Sequence, residues 1–102
     1  MEQNNIKVVT ICGSMKFSKQ MQEIARSLET EFGYAVIQCV YEGKNKIETQ
    51  QELQNIVLAH YKKIDISDAI YVVNIGGYIG NATKNEIEYA ISKNKEIIYH
   101  EK

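Results

Sequence analysis

The 102-residue chain has no proline and no tryptophan, and it shows no internal repeat or low-complexity tract. Nothing therefore marks a linker, and this length supports one compact core but not two. We expect a single domain over residues 1–102. Its 44% hydrophobic and 25% charged residues are ordinary for a globular protein, which excludes a disordered or fibrous chain.

An excess of one charge sign and long apolar runs are also missing. The chain has 12 basic and 13 acidic residues, for a net charge of -1, whereas domains that bind long nucleic acids are usually basic. No apolar run approaches the ~20 residues of a membrane span, and residues 1–5 lack the basic and apolar parts of a signal peptide. The sequence therefore predicts no partner among long nucleic acids or membranes, and a cytoplasmic location.

Cysteine and histidine are scarce. Cys12 and Cys39 each lie in an apolar, strand-like run, which is typical of small buried side chains in a reducing compartment rather than of a disulfide. The chain has no CxxC spacing, and its two histidines are far apart in sequence. On this spacing the sequence predicts no metal site, and we expect no other cofactor.

Four short segments have the composition of strands. Residues 6–12 (IKVVTIC) form an almost continuous apolar, β-branched run, which is typical of a strand buried on both faces. Residues 34–41, 69–73 and 96–99 are similar, and residues 42–46 between the second strand and the next helix form a polar loop. That loop is a candidate flap.

Three helices are predicted between the strands, because apolar residues recur there at spacings of three and four. The first starts near residue 15 and ends at Gly33, which can take the left-handed cap conformation. The second covers residues 47–64 and the third residues 83–94. The expected inward positions are Phe17, Met21, Ile24, Ala25, Leu28 and Phe32, then Leu53, Ile56, Val57, His60, Tyr61 and Ile64, and finally Ile87, Ala90 and Ile91.

This alternation of strand and helix predicts an α/β fold of three layers. We expect a four-stranded parallel sheet in the order 2-1-3-4, flavodoxin- or Rossmann-like, with helices on both faces. In that order a crevice opens beyond the carboxyl ends of the first and third strands, and ligands bind there. The loops at this crevice are residues 13–16 and 74–82, the segments richest in Gly, Ser, Asn and Thr.

Glu86 has two interpretations. Thr83 and Glu86 have the spacing of a capping box, in which a threonine caps a helix and a glutamate three residues later reaches back. The same placement in a first helical turn favours an ionised carboxylate, which at a crevice can attack or stabilise the cationic centre of glycosidic cleavage. Pattern alone leaves both interpretations open.

Other polar residues near the two loops also have a structural and a functional interpretation. Ser14 is either an N-cap or part of an anion site, and Lys16 is either an exposed surface residue or a partner for a 5'-phosphate. Tyr78 is placed to stack on a nucleobase, whereas Asp68 either caps a turn or acts as an acid. His60 is expected to pack against the core rather than to take part in catalysis.

Five motifs together resemble the nucleoside 2-deoxyribosyltransferase superfamily, which includes the 2'-deoxynucleoside 5'-phosphate N-hydrolases. They are ICGSMKF at residues 11–17, KID..DA at 63–69, YVVN at 71–74, GGYIGNAT..EIEYA at 76–90 and NKEIIY at 94–99. The resemblance implies an enzyme that cleaves an N-glycosidic bond, with Glu86 at the anomeric carbon and Asp65 or Asp68 assisting departure of the base. The expected substrate-binding residues are Gly13, Ser14, Met15, Lys16, Gly77, Tyr78, Gly80, Asn81 and Thr83.

The chain departs from the family pattern at one position. Family members often have Ser or Asp six residues before the nucleophile, where this chain has Gly80. Asn81, Thr83 or backbone N–H groups of the loop are the candidate substitutes for that contact. The resemblance also implies a homodimer or larger homo-oligomer, and the short chain suggests a site that a partner completes.

Two alternatives to this enzyme remain. One is a non-catalytic nucleotide-binding or sensor module that uses the same pocket, because Gly80 offers no side-chain ligand. The other is the phosphoribohydrolase group, whose signature also joins a glycine-rich loop to a helix. The spacing GGYIGNATKNE is two residues longer than that signature, which counts against the second alternative.

Overall fold

The computed structural model describes residues 5–41 and 48–102. The elements are β1 (Val8–Gly13), a 3-10 turn (Met15–Phe17), α1 (Ser18–Thr30), β2 (Ala35–Ile37), α2 (Gln50–Asp65), β3 (Ala69–Val73), a second 3-10 turn (Ile75–Gly77), α3 (Asn81–Ser92) and β4 (Glu96–Tyr99). The predicted polar loop at residues 42–46, with its role as a flap, lies outside the described residues. Within those ranges no helix is long and apolar enough to cross a membrane.

The four strands form one parallel sheet in the order β2-β1-β3-β4, which confirms the predicted topology. β1 is central, and its Val9 pairs with Val36 of β2 on one side and Ala69 of β3 on the other. Because parallel strands run in the same direction, the loops after β1 and β3 leave the sheet at the same end, the carboxyl end of the strands. The chain thus brings both predicted loops to one end of the sheet.

Helices cover both faces of this sheet, as predicted. Ile11 of β1 packs with Met21 of α1 on one face. On the other face, Val72 of β3 packs with Ile64 of α2 and Ala90 of α3. All five side chains are fully buried. A sheet between two helical layers has no solvent-facing side, so its side chains and the helix side chains that contact them are shielded from water.

β2 is shorter than the predicted strand at residues 34–41. It is an edge strand and pairs with β1 only as far as Ile37. Beyond this point the Gln38 carbonyl accepts a hydrogen bond from Lys63 Nζ instead of joining the ladder. Cys39 is therefore half-buried beside the sheet rather than inside a strand, although both cysteines carry free thiols, as expected.

Four residues expected on inward helix faces are exposed: Phe32, Leu53, Val57 and Ile91. Phe32 lies beyond the last residue of α1, because the helix ends at Thr30, while Gly33 has the predicted left-handed conformation with φ of 72°. Leu53 and Val57 face a cleft instead of the core. Helical periodicity identifies an apolar face, but it does not say whether protein or a ligand covers that face.

Candidate active site

A cleft of about 540 Å³ lies beyond the carboxyl ends of β1 and β3. Its walls are the loop after β1 (residues 13–15), the segment from Tyr78 into the first turns of α3, and one side of α2. The volume falls within the range of small-molecule sites. The lining is mainly apolar with a few polar groups, as in pockets that hold one oriented ligand.

Gly13 allows the first loop to pass close to the third strand. A Cβ at this position would lie 3.0 Å from Met21 Sδ and 3.2 Å from Val73 Cβ. Gly80, in the second loop, has open space by comparison: its own Cβ would meet Tyr78 Oη at 3.7 Å and Ser14 Cβ at 4.0 Å. The two loops therefore face each other across the narrow end of the cleft.

The loop after β3 is held from behind by residues near the C-terminus. The side-chain amide of Asn74 donates to the Glu101 carbonyl at 2.9 Å and accepts from the Glu101 N–H at 2.8 Å. The N–H of Gly76 donates to the Glu101 carboxylate at 3.0 Å. Gly76 and Gly77 have φ of 66° and 80°, a conformation that favours glycine. This loop is therefore a fixed wall of the cleft.

Glu86 does not belong to a capping box. α3 begins at Asn81 with Gly80 as its N-cap, so Thr83 is the third helical residue rather than the cap, and no described side chain caps this terminus. Glu86 then lies in the second turn, past the region where the helix dipole acts strongly. Both parts of the sequence argument at this position, the cap and the dipole-favoured charge, are wrong.

The Glu86 carboxyl projects into the floor of the cleft with only 17% of its side chain exposed. Burial raises its pKa from 4.5 to about 7, and a hydrogen bond from the Cys12 thiol opposes this shift. The carboxyl group is therefore close to half-ionised at neutral pH. A perturbed carboxyl in a cleft is a frequent feature of catalytic sites.

His60 of α2 and Cys12 of β1 lie beside this carboxyl. His60 Nε2 is 3.6 Å from Glu86 Oε1 and 3.4 Å from Cys12 Sγ. Burial, reinforced by the cation of Lys63, lowers the pKa of His60 to about 4, and burial raises the pKa of the Cys12 thiol. At neutral pH a neutral imidazole and a thiol therefore contact Glu86, and the close approach is not an ion pair.

The sequence argument missed this group. It placed His60 correctly in a buried position, but it excluded a metal site because the possible ligands are far apart in the chain. The fold brings single ligand atoms of Cys12, His60 and Glu86 within 4.8 Å of one another. One signal was present: Cys12 directly precedes Gly13, so the carboxyl-end rule already places it at the crevice.

Asp65 and Asp68 lie near the amino ends of the strands, at the opposite end of the sheet from Glu86. Asp68 comes just before β3, and its carboxylate accepts a hydrogen bond from the N–H of Val8 at 2.8 Å. Asp65 accepts a hydrogen bond from the Tyr89 hydroxyl. Neither is among the described residues that line the cleft, so the structure does not place them beside Glu86. The Asp68 carboxylate joins the turn before β3 to the start of β1 and does not cap its own turn.

The smaller loop residues divide into two groups. The cleft lining includes Gly13, Ser14, Met15, Tyr78, Gly80, Asn81 and Thr83, whereas Lys16 and Gly77 are not among the described residues that form it. Ser14 is an N-cap, since its Oγ accepts from the N–H of Lys16 at 3.3 Å. Lys16 is exposed and holds its ammonium group 3.9 Å from the centre of the Tyr78 ring.

Two further polar residues of the cleft were not predicted, Tyr41 and Glu48. Tyr41 donates its hydroxyl to Gln38 Oε1 at 2.7 Å, and burial raises its pKa. Glu48 is half-buried and provides a second carboxylate on the cleft wall. It follows a polar segment with no periodic pattern, so the sequence held no signal for it.

No protein-family model and no curated protein matches this chain. Among solved structures, it is similar to the CMP N-glycosidase BcmB of Clostridium botulinum, with a TM-score of 0.60 and 21% sequence identity. The match covers 91% of this chain and 70% of that one. At this identity the likeness shows a shared fold, and it confirms the predicted α/β architecture.

Proposed function

We propose that this protein is an enzyme that cleaves the N-glycosidic bond of a nucleoside or nucleoside 5'-monophosphate. The observation that carries the proposal is the mostly buried Glu86 carboxyl, which lies at the floor of a ligand-sized cleft between two polar loops. The motif resemblance to the nucleoside 2-deoxyribosyltransferase superfamily supports it, and so does the shared fold of a solved CMP N-glycosidase.

The chemistry needs a carboxylate at the sugar. As the bond from C1' to the base nitrogen breaks, its electron pair leaves with the base and positive charge develops at C1'. Ionised Glu86 stabilises this cation or bonds to it. Water then takes the sugar in hydrolysis, or a second base takes it in transfer of a deoxyribosyl group.

Departure of the base requires a proton, and neither Asp65 nor Asp68 is among the described residues of the cleft. Solvent supplies this proton, and we assign to Glu48, the second carboxylate on the described cleft wall, the role of holding the water that delivers it. Tyr78, which is 45% exposed, is the expected stacking residue for the base. The uncapped N–H groups at the start of α3 are the expected contact for a 5'-phosphate.

The test is release of free base from a panel of nucleosides and nucleoside monophosphates that includes CMP. Glu86→Gln should reduce the rate by at least ~100-fold, the scale on which loss of one group that stabilises transition-state charge acts. Glu88→Gln is the matched control, because Glu88 is exposed on the same helix. Wild-type rate should rise as the pH rises through about 7, where Glu86 ionises. Equal rates for the two variants would remove Glu86 from the mechanism.

A non-catalytic nucleotide sensor is the second candidate, and Gly80 favours it because this position offers no side chain to a ligand. The same panel separates the two. Calorimetric binding of a nucleotide that is recovered intact after long incubation would support the sensor and overturn the enzyme. Released base would exclude the sensor.

A further inference from the structure

Three chemically different ligand groups meet at the floor of the cleft, each from a different element. Cys12 ends the buried part of β1, His60 lies on α2 and Glu86 lies on α3. Cys12 and His60 are buried, and Glu86 is mostly so. Such a group of thiol, imidazole and carboxyl is not required by glycosidic cleavage, which needs only carboxylates.

Two of the three separations fit one shared metal ion. With Zn–S near ~2.3 Å and Zn–N and Zn–O near ~2.0–2.2 Å, tetrahedral geometry puts neighbouring ligand atoms roughly 3.4–3.6 Å apart. The observed distances are 3.4 Å from Cys12 Sγ to His60 Nε2 and 3.6 Å from His60 Nε2 to Glu86 Oε1. All three ligand atoms lie within 4.8 Å of one another.

We propose that Cys12, His60 and Glu86 bind one transition-metal cation of the Zn²⁺ class, with the fourth coordination position open to the cleft. Thiolate and imidazole ligands select Zn²⁺ over Mg²⁺ or Ca²⁺, which prefer oxygen. Three protein ligands with one open position are typical of catalytic zinc centres, whereas structural sites use four. The cleft itself is the entry path.

Metal binding at this site has a defined proton balance. The neutral imidazole of His60 and the thiolate of Cys12 are the forms that bind a metal. The metal therefore replaces the proton of the Cys12 thiol, which passes to the solvent as the metal–sulfur bond forms.

Metal binding has a consequence for the proposed glycosidase. An oxygen of Glu86 that binds a cation is no longer free to approach C1', so the bound metal should inhibit base release. This consequence rests on the proposed function. The binding site itself does not, because it follows from the three ligand groups alone.

The experiment uses the full chain, freed of any affinity tag and of metal, with Zn²⁺ and Co²⁺ salts as probes. Calorimetry should show one Zn²⁺ per chain, and Co²⁺ should produce the intense thiolate-to-metal absorption that only a cysteine ligand gives. Loss of a residue that only orients a metal ligand typically weakens metal binding by ~10–100-fold. Cys12→Ala and His60→Gln remove ligands themselves, so each should weaken Zn²⁺ binding by at least that factor.

The chain supplies one control for each ligand, since it has two cysteines and two histidines. His100→Gln should keep wild-type affinity, and Cys39→Ala, whose thiol belongs to a residue that also lines the cleft, should lose less affinity than Cys12→Ala. Thermal melting of each variant shows whether it folds, and the Co²⁺ spectrum of the wild type needs no variant. Absence of the thiolate band, or equal losses in Cys39→Ala and Cys12→Ala, would overturn the site.

The outcomes for the metal and for catalysis are distinguishable. Zn²⁺ binding that depends on Cys12 and His60, in a protein that cleaves no member of the panel, supports the site and rejects the glycosidase. Base release that continues unchanged under saturating Zn²⁺ would reject Glu86 as a shared ligand. Inhibition that Cys12→Ala relieves would support both proposals.

Discussion

Glu86 shows at the scale of one residue how a buried carboxyl works against stability. The fold places this carboxyl where little water reaches it, and the neutral His60 beside it supplies no positive charge. Its charged form is therefore destabilised, and its pKa rises to about 7. Replacing this carboxyl by a neutral group should therefore increase the free energy of unfolding at neutral pH.

Glu86→Gln should therefore become more stable relative to wild type as the pH rises. The folded-state pKa of Glu86 is above its unfolded value, so the wild type loses stability between pH 4.5 and about 7. Glutamine does not titrate, and the difference should approach on the order of 3 kcal/mol at one pKa unit per ~1.4 kcal/mol. Denaturant unfolding at pH 5 and pH 8, with a chelator present, measures it.

His60 titrates in both proteins of that comparison, so its own pH dependence largely cancels in the difference. Glu88→Gln is the control variant, because Glu88 is exposed on the same helix. A gain for Glu86→Gln that is the same at both pH values would mean that the carboxyl is hydrated in solution and that its pKa is ordinary.

Gly13 is the second residue with a strict local requirement. Gly13→Ala should destabilise the protein by about 1–3 kcal/mol, because its Cβ would press on Val73 and on Met21 of α1. Gly80→Ser is the matched control in the facing loop, where the new atoms meet ordinary contacts and serine suits an N-cap. Thermal unfolding of both variants checks this, and equal melting temperatures would contradict the close approach.

At the scale of elements, the prediction was most accurate where pairing and periodicity act together. β3 and β4 have the predicted bounds, and the strand order is as predicted. Both strands are short apolar runs bounded by turn residues. In a sheet that helices cover on both faces, such a run is buried as a strand. Local pattern and tertiary environment agree there.

Helix starts were less predictable because several residues compete for the same cap. Thr83 and Glu86 match a capping box in sequence, yet the helix begins earlier, where the Gly80 carbonyl accepts from the N–H of Lys84 at 2.9 Å. A real capping box occurs at Thr49 and Glu52 of α2 instead. Sequence spacing alone does not show which threonine has extended backbone geometry.

The site was predictable in its loops but not in its floor. Both polar loops follow from the strand order, and Glu86 follows from the motif that links it to the second loop. Asp65 and Asp68 come before β3 in the chain, so the rule that ligands bind at the carboxyl ends of the strands already places both at the opposite end of the sheet. The contact of His60 with Cys12 joins residues 48 positions apart, so no local pattern encodes it.

The capping box of α2 supports the helix that carries His60. Its two hydrogen bonds join Thr49 and Glu52 at 3.1 Å and 2.8 Å. Thr49→Ala should cost about 1 kcal/mol, because a helical N–H then loses its partner. Thr49→Ser keeps the hydroxyl and should remain close to wild type in denaturant unfolding. Equal losses for the two variants would attribute the effect to the methyl group instead.

At the scale of the whole molecule, the predicted self-association remains open to test. Leu58 of α2, which is not among the described residues of the cleft, is 60% exposed, and a sheet of four strands buries a limited core. We expect a homodimer with this helix face against a second copy. Analytical ultracentrifugation at micromolar concentration should show a dimer.

Leu58→Glu should shift that equilibrium toward monomer, since burying a charge in an apolar interface is costly. Gln22→Glu adds the same charge on exposed α1 and should leave the dimer intact. A wild-type protein that sediments only as a monomer would contradict the prediction. Dissociation by both variants would point to net charge rather than to the α2 face.

The sheet separates its supporting contacts from its cleft. The amino edge carries the Asp68 bond to Val8, the Asp65 bond to Tyr89 and an ion pair of Lys7 with Glu96 at 2.6 Å. The cleft lies at the opposite end, where Gly13, Gly76 and Gly77 are restricted to glycine but Gly80 and the exposed Asn81 and Ala82 have room to vary. Randomised libraries confined to these three positions should thus retain a high fraction of folded members, which makes this loop a practical scaffold for selecting new binding preferences.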